Sequence, residues 1–318
     1  MNAVEIKSLT KRYGENCALR DFTLNIEGGR VYGLIGPNGA GKTTAMSIIA
    51  TLLAPDGGTV LVGGHDVVKE PTAVRRLIGY MPDFFGVYDG LKATEYLEFY
   101  AAAYRIPAGQ RPGLVRDLLE LVNLRDKADC YVDLLSRGMK QRLALARCLV
   151  HDPAVLILDE PASGLDPRAR AEMKEVIRQL RRMNKTVLIS SHILPELAEM
   201  CDNIAILEQG RLVASGSVEE VTAARQGAKI LKVEVAERLP ELISFLQGQA
   251  QVLSVDGDAG WARVSFTGNK SAQGKLLQEI MARGWPVLEF AEIKGNLEDA
   301  FMAVTGEVKT ASKILMQR

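Results

Sequence analysis

No stretch of the chain approaches the ~20 consecutive apolar residues needed to cross a bilayer, and Met1-Asn2-Ala3-Val4-Glu5 does not read as a secretory leader. A cytoplasmic protein is expected, and any role at a membrane must come through a partner. A surplus of either charge is also lacking. The 39 lysines and arginines balance 39 aspartates and glutamates, so no basic field points to nucleic acid. Paired cysteine motifs are missing as well: Cys17, Cys130, Cys148 and Cys201 are scattered, with no C-x-x-C. That pattern fits reduced thiols in a cytosolic protein. What remains is an ordinary globular composition, 47% hydrophobic and 25% charged over 318 residues. It is enough for a sizeable core in one large or two medium domains.

The most informative stretch is Gly36-Pro37-Asn38-Gly39-Ala40-Gly41-Lys42-Thr43, followed by Thr44. It fits the phosphate-binding pattern G-x-x-x-x-G-K-[ST]. Val31 to Ile35 before it reads as a short buried strand, and Thr44 to Ala50 after it as a helix with an apolar face. Glycines let successive backbone N–H groups turn toward one anion, and the helix N-terminus adds about half a positive charge. Gly36, Asn38, Gly39, Ala40, Gly41 and Thr44 are therefore expected around the phosphates. Lys42 would reach the β- and γ-phosphates, and the Thr43 hydroxyl would hold Mg²⁺. The stretch predicts a nucleotide site.

Along the chain, Val4 to Leu9 alternates weakly, like an edge strand, and Lys11 to Gly14 reads as a turn before a second alternating run, Leu19 to Ile26. Thr59 to Val62 is a further strand. From Phe84 to about Val150 the pattern turns helical, with helices over Ala93–Tyr104, Leu114–Leu124 and onward from Ser136. Ala154 to Leu158 is a continuous apolar run, as expected of a strand buried on both faces of a parallel sheet, and it ends in Asp159-Glu160. A helix over Arg168–Asn184, a strand over Thr186–Ser190 ending at His192, and a hairpin turned by Gln209-Gly210 follow. A polar, small-residue stretch over Thr222–Ala228 marks a boundary. Beyond it the order is strand, helix, strand, strand, helix, strand, which is the ferredoxin-like βαββαβ pattern. A last helix over Leu297–Val304 and a frayed tail over 307–318 are expected.

Several independent motifs in residues 1 to about 220 resemble the nucleotide-binding cassette of the ABC transporter superfamily. Leu135-Ser136-Arg137-Gly138-Met139 resembles that family's signature segment, usually L-S-G-G-Q, with Arg137 and Met139 departing from it. Ser163-Gly164-Leu165-Asp166 matches the loop through which two cassettes meet, and His192 matches the switch histidine. His65 and His151 match nothing. The resemblance implies an α/β fold: a phosphate-loop NTPase cassette over 1–222 with a mixed sheet and a helical subdomain over about 84–150. A small α+β domain over 229–306 would follow. By the same resemblance Asp159 organises Mg²⁺, Glu160 polarises the attacking water, and His192 contacts the γ-phosphate with Lys42. Tyr13, 29 residues before Lys42, would stack on adenine. Ser136 and Gly138 would grip the γ-phosphate held by a second copy. Gly79-Tyr80-Met81-Pro82-Asp83 departs at its last position, where the family commonly has Gln; Asp83 could still ligate Mg²⁺.

Three readings compete. The first is an ATP-hydrolysing homodimeric subunit that drives a separate integral-membrane permease. Gly295-Asn296-Leu297-Glu298-Asp299-Ala300-Phe301 resembles exporter-type cassettes and favours export. The second is a soluble cassette ATPase acting on nucleic acid or ribosomes. Only 94 residues separate Lys42 from Ser136, with no long heptad run and a single phosphate loop, so that reading is disfavoured. The third, a small-molecule kinase, does not explain the signature segment or His192. The first reading is preferred, with ATP and Mg²⁺ as cofactors and no nucleic acid partner.

Overall fold

In the computed structural model, residues 2–84, 86, 90–191, 197, 199–223, 229–258 and 260–293 are described. The chain divides into two compact units, residues 1–218 and 219–318. In the first, β1 (Asn2–Tyr13), β2 (Asn16–Glu27), β4 (Gly57–Val62) and β5 (His65–Asp66) form an antiparallel sheet in the order β2-β1-β4-β5. β1 pairs on both sides, so the edge-strand expectation for Val4–Leu9 is corrected. Its alternation is weak because Ser8 takes a positive φ of 49° and the register shifts between Ile6 and Leu9. A bulge of this kind offsets the period-two pattern. Lys11 to Tyr13, expected in a turn, continue β1; the turn falls at Gly14-Glu15.

The second sheet runs β10-β9-β3-β8-β7-β6, from β3 (Val31–Ile35), β6 (Ile78–Met81), β7 (Val155–Leu158), β8 (Thr186–Ser191), β9 (Asn203–Glu208) and β10 (Arg211–Ser217). Five strands are parallel and β10 is antiparallel to β9. Every residue of β3, β7 and β8 is buried, which is why their sequences lack polar alternation. The register sets Ile35 opposite Ser191, Leu158 opposite Ile189 and Met81 opposite Leu158. The carboxyl ends of β3, β6, β7 and β8 therefore lie together, where open parallel sheets bind ligands.

Between β3 and β4, α1 (Lys42–Ile49) buries Ala45, Met46, Ile48 and Ile49. After α2 (Pro71–Leu77) come α3 (Ala93–Ala103), α4 (Arg111–Leu121) and α5 (Arg137–Leu149), then α6 (Pro167–Arg182) following β7. Their inward faces carry Tyr96, Leu97, Val115, Leu119, Leu143 and Leu145. Arg142 of α5, 3% exposed, donates from Nη1 to the carbonyls of Val122 and Asn123 at 2.9 and 3.0 Å, satisfying acceptors at the end of α4. Its Nη2 lies 2.9 Å from Glu172 of α6. A buried cation matched in this way fixes α5 against both neighbours.

In the second unit, β11 (Lys229–Val235), β12 (Val252–Asp258), β13 (Trp261–Phe266) and β14 (Val287–Ile293) form an antiparallel sheet in the order β12-β13-β11-β14. Helices over Leu239–Gln247 and Lys270–Ala282 complete the βαββαβ order. Leu231, Val233 and Val235 pack with Leu242, Leu246, Leu276 and Ile280 into a core of their own. Trp285 joins that core, whereas Trp261 is half-buried with the Lys232 ammonium 5.6 Å from its ring. The helix expected over Leu297–Val304 and the tail lie outside the described residues.

Candidate functional site

The phosphate loop leaves β3 and enters α1 through a path only glycine can follow at two points. A side chain on Gly36 would meet the Leu207 carbonyl at 2.3 Å, and one on Gly41, at φ 108°, the Ala18 carbonyl at 2.5 Å. Both oxygens are backbone and cannot swing away. The Gly210 N–H donates to the Ala40 carbonyl at 3.0 Å, tying the loop to the β9–β10 turn. Asn38 and Gly39 form the exposed crest, Thr43 is exposed at the start of α1, and Thr44 is half-buried. Lys42 is 7% exposed, and its Nζ donates to the Gly36 carbonyl at 2.6 Å and the Pro37 carbonyl at 3.3 Å. Burial lowers the Lys42 pKa, while Glu160 and Asp159 act in the opposite sense. The loop thus surrounds one buried cation beside two carboxylates.

Those carboxylates follow β7 directly. Asp159 is 1% exposed, and its N–H donates to the Met81 carbonyl at 2.8 Å. The Ser190 hydroxyl, on neighbouring β8, donates to Asp159 Oδ1 at 2.5 Å and accepts from the Glu160 N–H at 2.9 Å. Asp159 Oδ2 is buried with no hydrogen-bond partner among the described residues. Glu160, half-buried, takes a positive φ of 50°, a backbone state that non-glycine residues seldom occupy and that recurs at functional sites. Sequence reasoning named Asp159 and Glu160 but missed Ser190. The available signal was a pair of serines, Ser190-Ser191, closing the apolar run Val187–Ile189 at the same sheet edge.

Asp83 stands two residues beyond β6 and is exposed. Tyr13 closes β1 and is 51% exposed, and the Lys11 ammonium lies 5.8 Å from the ring centroid. His192, immediately after β8, lies outside the described residues. Ser136 is the N-cap of α5, its hydroxyl accepting from the Met139 N–H at 3.3 Å. Gly138 is buried so closely that a side chain there would meet Ala169 Cβ at 2.6 Å. Arg137, the departure from the usual glycine, sets its guanidinium over Gly164, and Gln141 Nε2 reaches the Ser163 carbonyl at 3.4 Å. Asp166 caps α6 by accepting from the Ala169 N–H at 2.8 Å. The signature segment and residues 163–166 thus pack together in one chain.

The profile of the family described as "ABC transporter" matches residues 19–163. Over 95% of this chain and 97% of the relative, the sequence is 34% identical to the Nod factor export ATP-binding protein I of Burkholderia orbicola. This chain belongs to the ABC transporter family. Among other ABC relatives, it is 34% identical to the daunorubicin/doxorubicin resistance ATP-binding protein DrrA of Streptomyces peucetius over 96% of this chain and 92% of that protein. The linearmycin resistance ATP-binding protein LnrL of Bacillus subtilis is 30% identical over 95% and 98%. A solved ATP-binding subunit of an ABC transporter superposes with a TM-score of 0.63 at 30% identity, over 70% of this chain and 92% of that one. A second ABC cassette, solved as a dimer in a post-hydrolysis state with ADP and Pi, gives 0.61 at 28% identity over 67% and 98%. The protein is an ABC-type ATP-binding subunit that hydrolyses ATP for transport. Among the described residues no helix is long and apolar enough to cross a membrane.

Proposed function

We propose that this subunit works as a homodimer at the cytoplasmic face of a membrane, where two bound ATP molecules drive an integral-membrane permease that exports its substrate. The observation that carries the chemistry is the Ser190 bridge, which fixes the Asp159 carboxylate to the Glu160 backbone, with both residues close enough to the buried Lys42 to act on its charge. In this reading residues 1–222 are the cassette, with its helical subdomain over about 84–150, and residues 229–306 are an accessory domain. The named functions of the relatives, export and drug resistance, support the direction.

The side chains fit a magnesium nucleotide. Asp159 keeps one buried oxygen unpartnered among the described residues, and Mg²⁺ is a hard cation held by one or two carboxylates together with substrate phosphates. Asp159, the Thr43 hydroxyl and Asp83 are its protein ligands in this reading, and the ion supplies charge neutralisation of the phosphates. Lys42 exchanges the Gly36 and Pro37 carbonyls for β- and γ-phosphate oxygens. The N–H groups of residues 36–44 cradle the phosphates, and Tyr13 stacks on the base. Glu160 accepts the proton of the attacking water, and His192 steadies the γ-phosphate. Ser136 and Gly138 of the second copy close over that phosphate from the N-terminus of α5. Phosphoryl transfer needs positioning and charge stabilisation more than covalent chemistry, which is what this set provides. The test is affinity capture of the tagged chain from membranes. A co-purifying multi-span protein that stimulates its ATPase supports the reading, and an ATPase found only with ribosomes or nucleic acid overturns it.

A further inference from the structure

The last residues of β1 pair with β2 on one side, and on the other side they are held by one carboxylate from a distant loop. Asp56, between α1 and β4, places Oδ1 2.9 Å from Lys11 Nζ and accepts the Arg12 N–H on Oδ2 at 2.6 Å. Its own N–H donates to the Thr10 carbonyl at 2.9 Å, next to the Thr10–Gly57 pair that ends the β1–β4 ladder. Beyond that pair β4 no longer supports β1. The three contacts therefore grip consecutive residues, Thr10, Lys11 and Arg12, just before Tyr13. The same Lys11 ammonium that Asp56 holds lies 5.8 Å from the Tyr13 ring centroid, within reach of attraction to its face. Hydrogen bonds from Arg12 and Lys11 also hold the Asp56 carboxyl below its ordinary pKa, so the clamp is charged at neutral pH.

We propose that Asp56 is a positioning residue for the nucleotide base: through Lys11 and the Arg12 backbone it fixes the end of β1 so that the Tyr13 ring meets the purine in one orientation. The inference rests on the reading of Tyr13 as the base platform. Asp56 touches neither phosphate nor base. Its effect is confined to the base half of the ligand, whereas the phosphates are bound by a loop on the other side of α1.

The test uses calorimetric titration of the full chain with Mg-ATP and with magnesium tripolyphosphate, which lacks base and ribose. Wild type, Tyr13→Ala, Asp56→Ala and the double variant form a cycle. Loss of a stacked base contact in Tyr13→Ala should weaken ATP binding by roughly tenfold. Asp56→Ala should weaken it by about threefold to fivefold, leave tripolyphosphate binding unchanged, and add nothing on the Tyr13→Ala background. Lys11→Met, which leaves Asp56 and its backbone contacts in place, should show the same selectivity for the base. Equal weakening of ATP and tripolyphosphate in Asp56→Ala, or full additivity in the double variant, overturns the proposal while leaving the Tyr13 platform standing. Unchanged ATP binding in Tyr13→Ala overturns the platform reading and the proposal together.

Discussion

Ser190 donates to Asp159 Oδ1 at 2.5 Å and, through the same oxygen, accepts the Glu160 N–H at 2.9 Å. One buried hydroxyl thus ties the Asp159 carboxylate to the Glu160 backbone where the chain leaves β7. Hydrogen bonds to charged groups are worth about 1.5–3 kcal/mol, and an orphaned partner adds a desolvation cost. Ser190→Ala should therefore lower ATP turnover by about tenfold or more while Mg-ATP still binds. Ser190→Thr, which keeps the hydroxyl, should retain more activity than Ala. Wild-type turnover in Ser190→Ala would show that β7 alone positions the pair.

Glu160 carries the sharper test. If it takes the proton of the attacking water, Glu160→Gln removes the base but keeps the shape, and turnover should fall by on the order of 10²-fold or more. Binding should survive, because Lys42 and the loop N–H groups are untouched. The ATP-bound dimer should then persist on gel filtration with Mg-ATP. Near-normal turnover in this variant would remove Glu160 from the chemistry. Lys42→Ala should instead weaken ATP binding itself.

Asp83 sits exposed beyond β6, at the edge where Asp159 also emerges. If it contributes to Mg²⁺, Asp83→Ala should lower hydrolysis and shift the Mg²⁺ concentration for half-maximal rate upward. Asp83→Gln should recover much of the activity, since the rest of the site matches cassettes built around Gln. Identical Mg²⁺ titrations for both variants and wild type would reduce Asp83 to a turn residue after Pro82.

Much of this fold was legible because its strongest signals are local. Val-Leu-Ile-Leu at 155–158 has no polar position, which only a strand covered on both faces tolerates. The βαββαβ order of the second unit follows from period-two and helical spacings bounded by glycines. What stayed hidden depends on contacts between distant residues. β1 read as an edge because the positive φ of Ser8 shifts its register, and only its pairing with β4 shows that it is interior. Ser190 is an ordinary strand-end serine until β7 lies beside β8, 31 residues from Asp159 in sequence. Asp56 likewise has no local mark of its grip on β1, 45 residues away at Lys11.

His151 gives a pH dependence whose sign follows from its surroundings. Its ring stacks on Tyr104 at 4.0 Å, Nε2 donates to the Ile78 carbonyl at 2.8 Å, and Nδ1 is buried with no partner among the described residues. Burial, the largest effect, lowers its pKa; the Ile78 contact and Asp152 oppose this. Between the lowered folded pKa and the unfolded value of about 6.5, the unfolded chain binds the extra proton. The stability from neutral His151 is thus complete above pH ~6.5 and is lost as pH falls through the folded pKa. Wild type should lose more stability than His151→Gln between pH 7.5 and 5.5, measured as the urea midpoint. A constant gap between the two would show that His151 does not titrate in this window.

The last prediction concerns the second unit. Among the described residues its apolar side chains form a core of their own, and every described residue assigned to the nucleotide falls before Val218. On the sheet face opposite its helices, Lys232 pairs with Glu289 at 2.5 Å and with Glu234 at 2.9 Å. Partly exposed pairs of this kind add little stability and suit a surface that meets a partner in a defined register. A chain ending near residue 225 should therefore fold and bind Mg-ATP with similar affinity. It should dimerise less readily or couple less well to its permease, so its ATPase rate should fall more steeply on dilution than that of the full chain. The measurement is ATP affinity together with ATPase rate across protein concentration for both forms. A folded, soluble truncation that has lost nucleotide binding would mean that residues beyond 225 complete the catalytic unit, and the proposed boundary would be wrong.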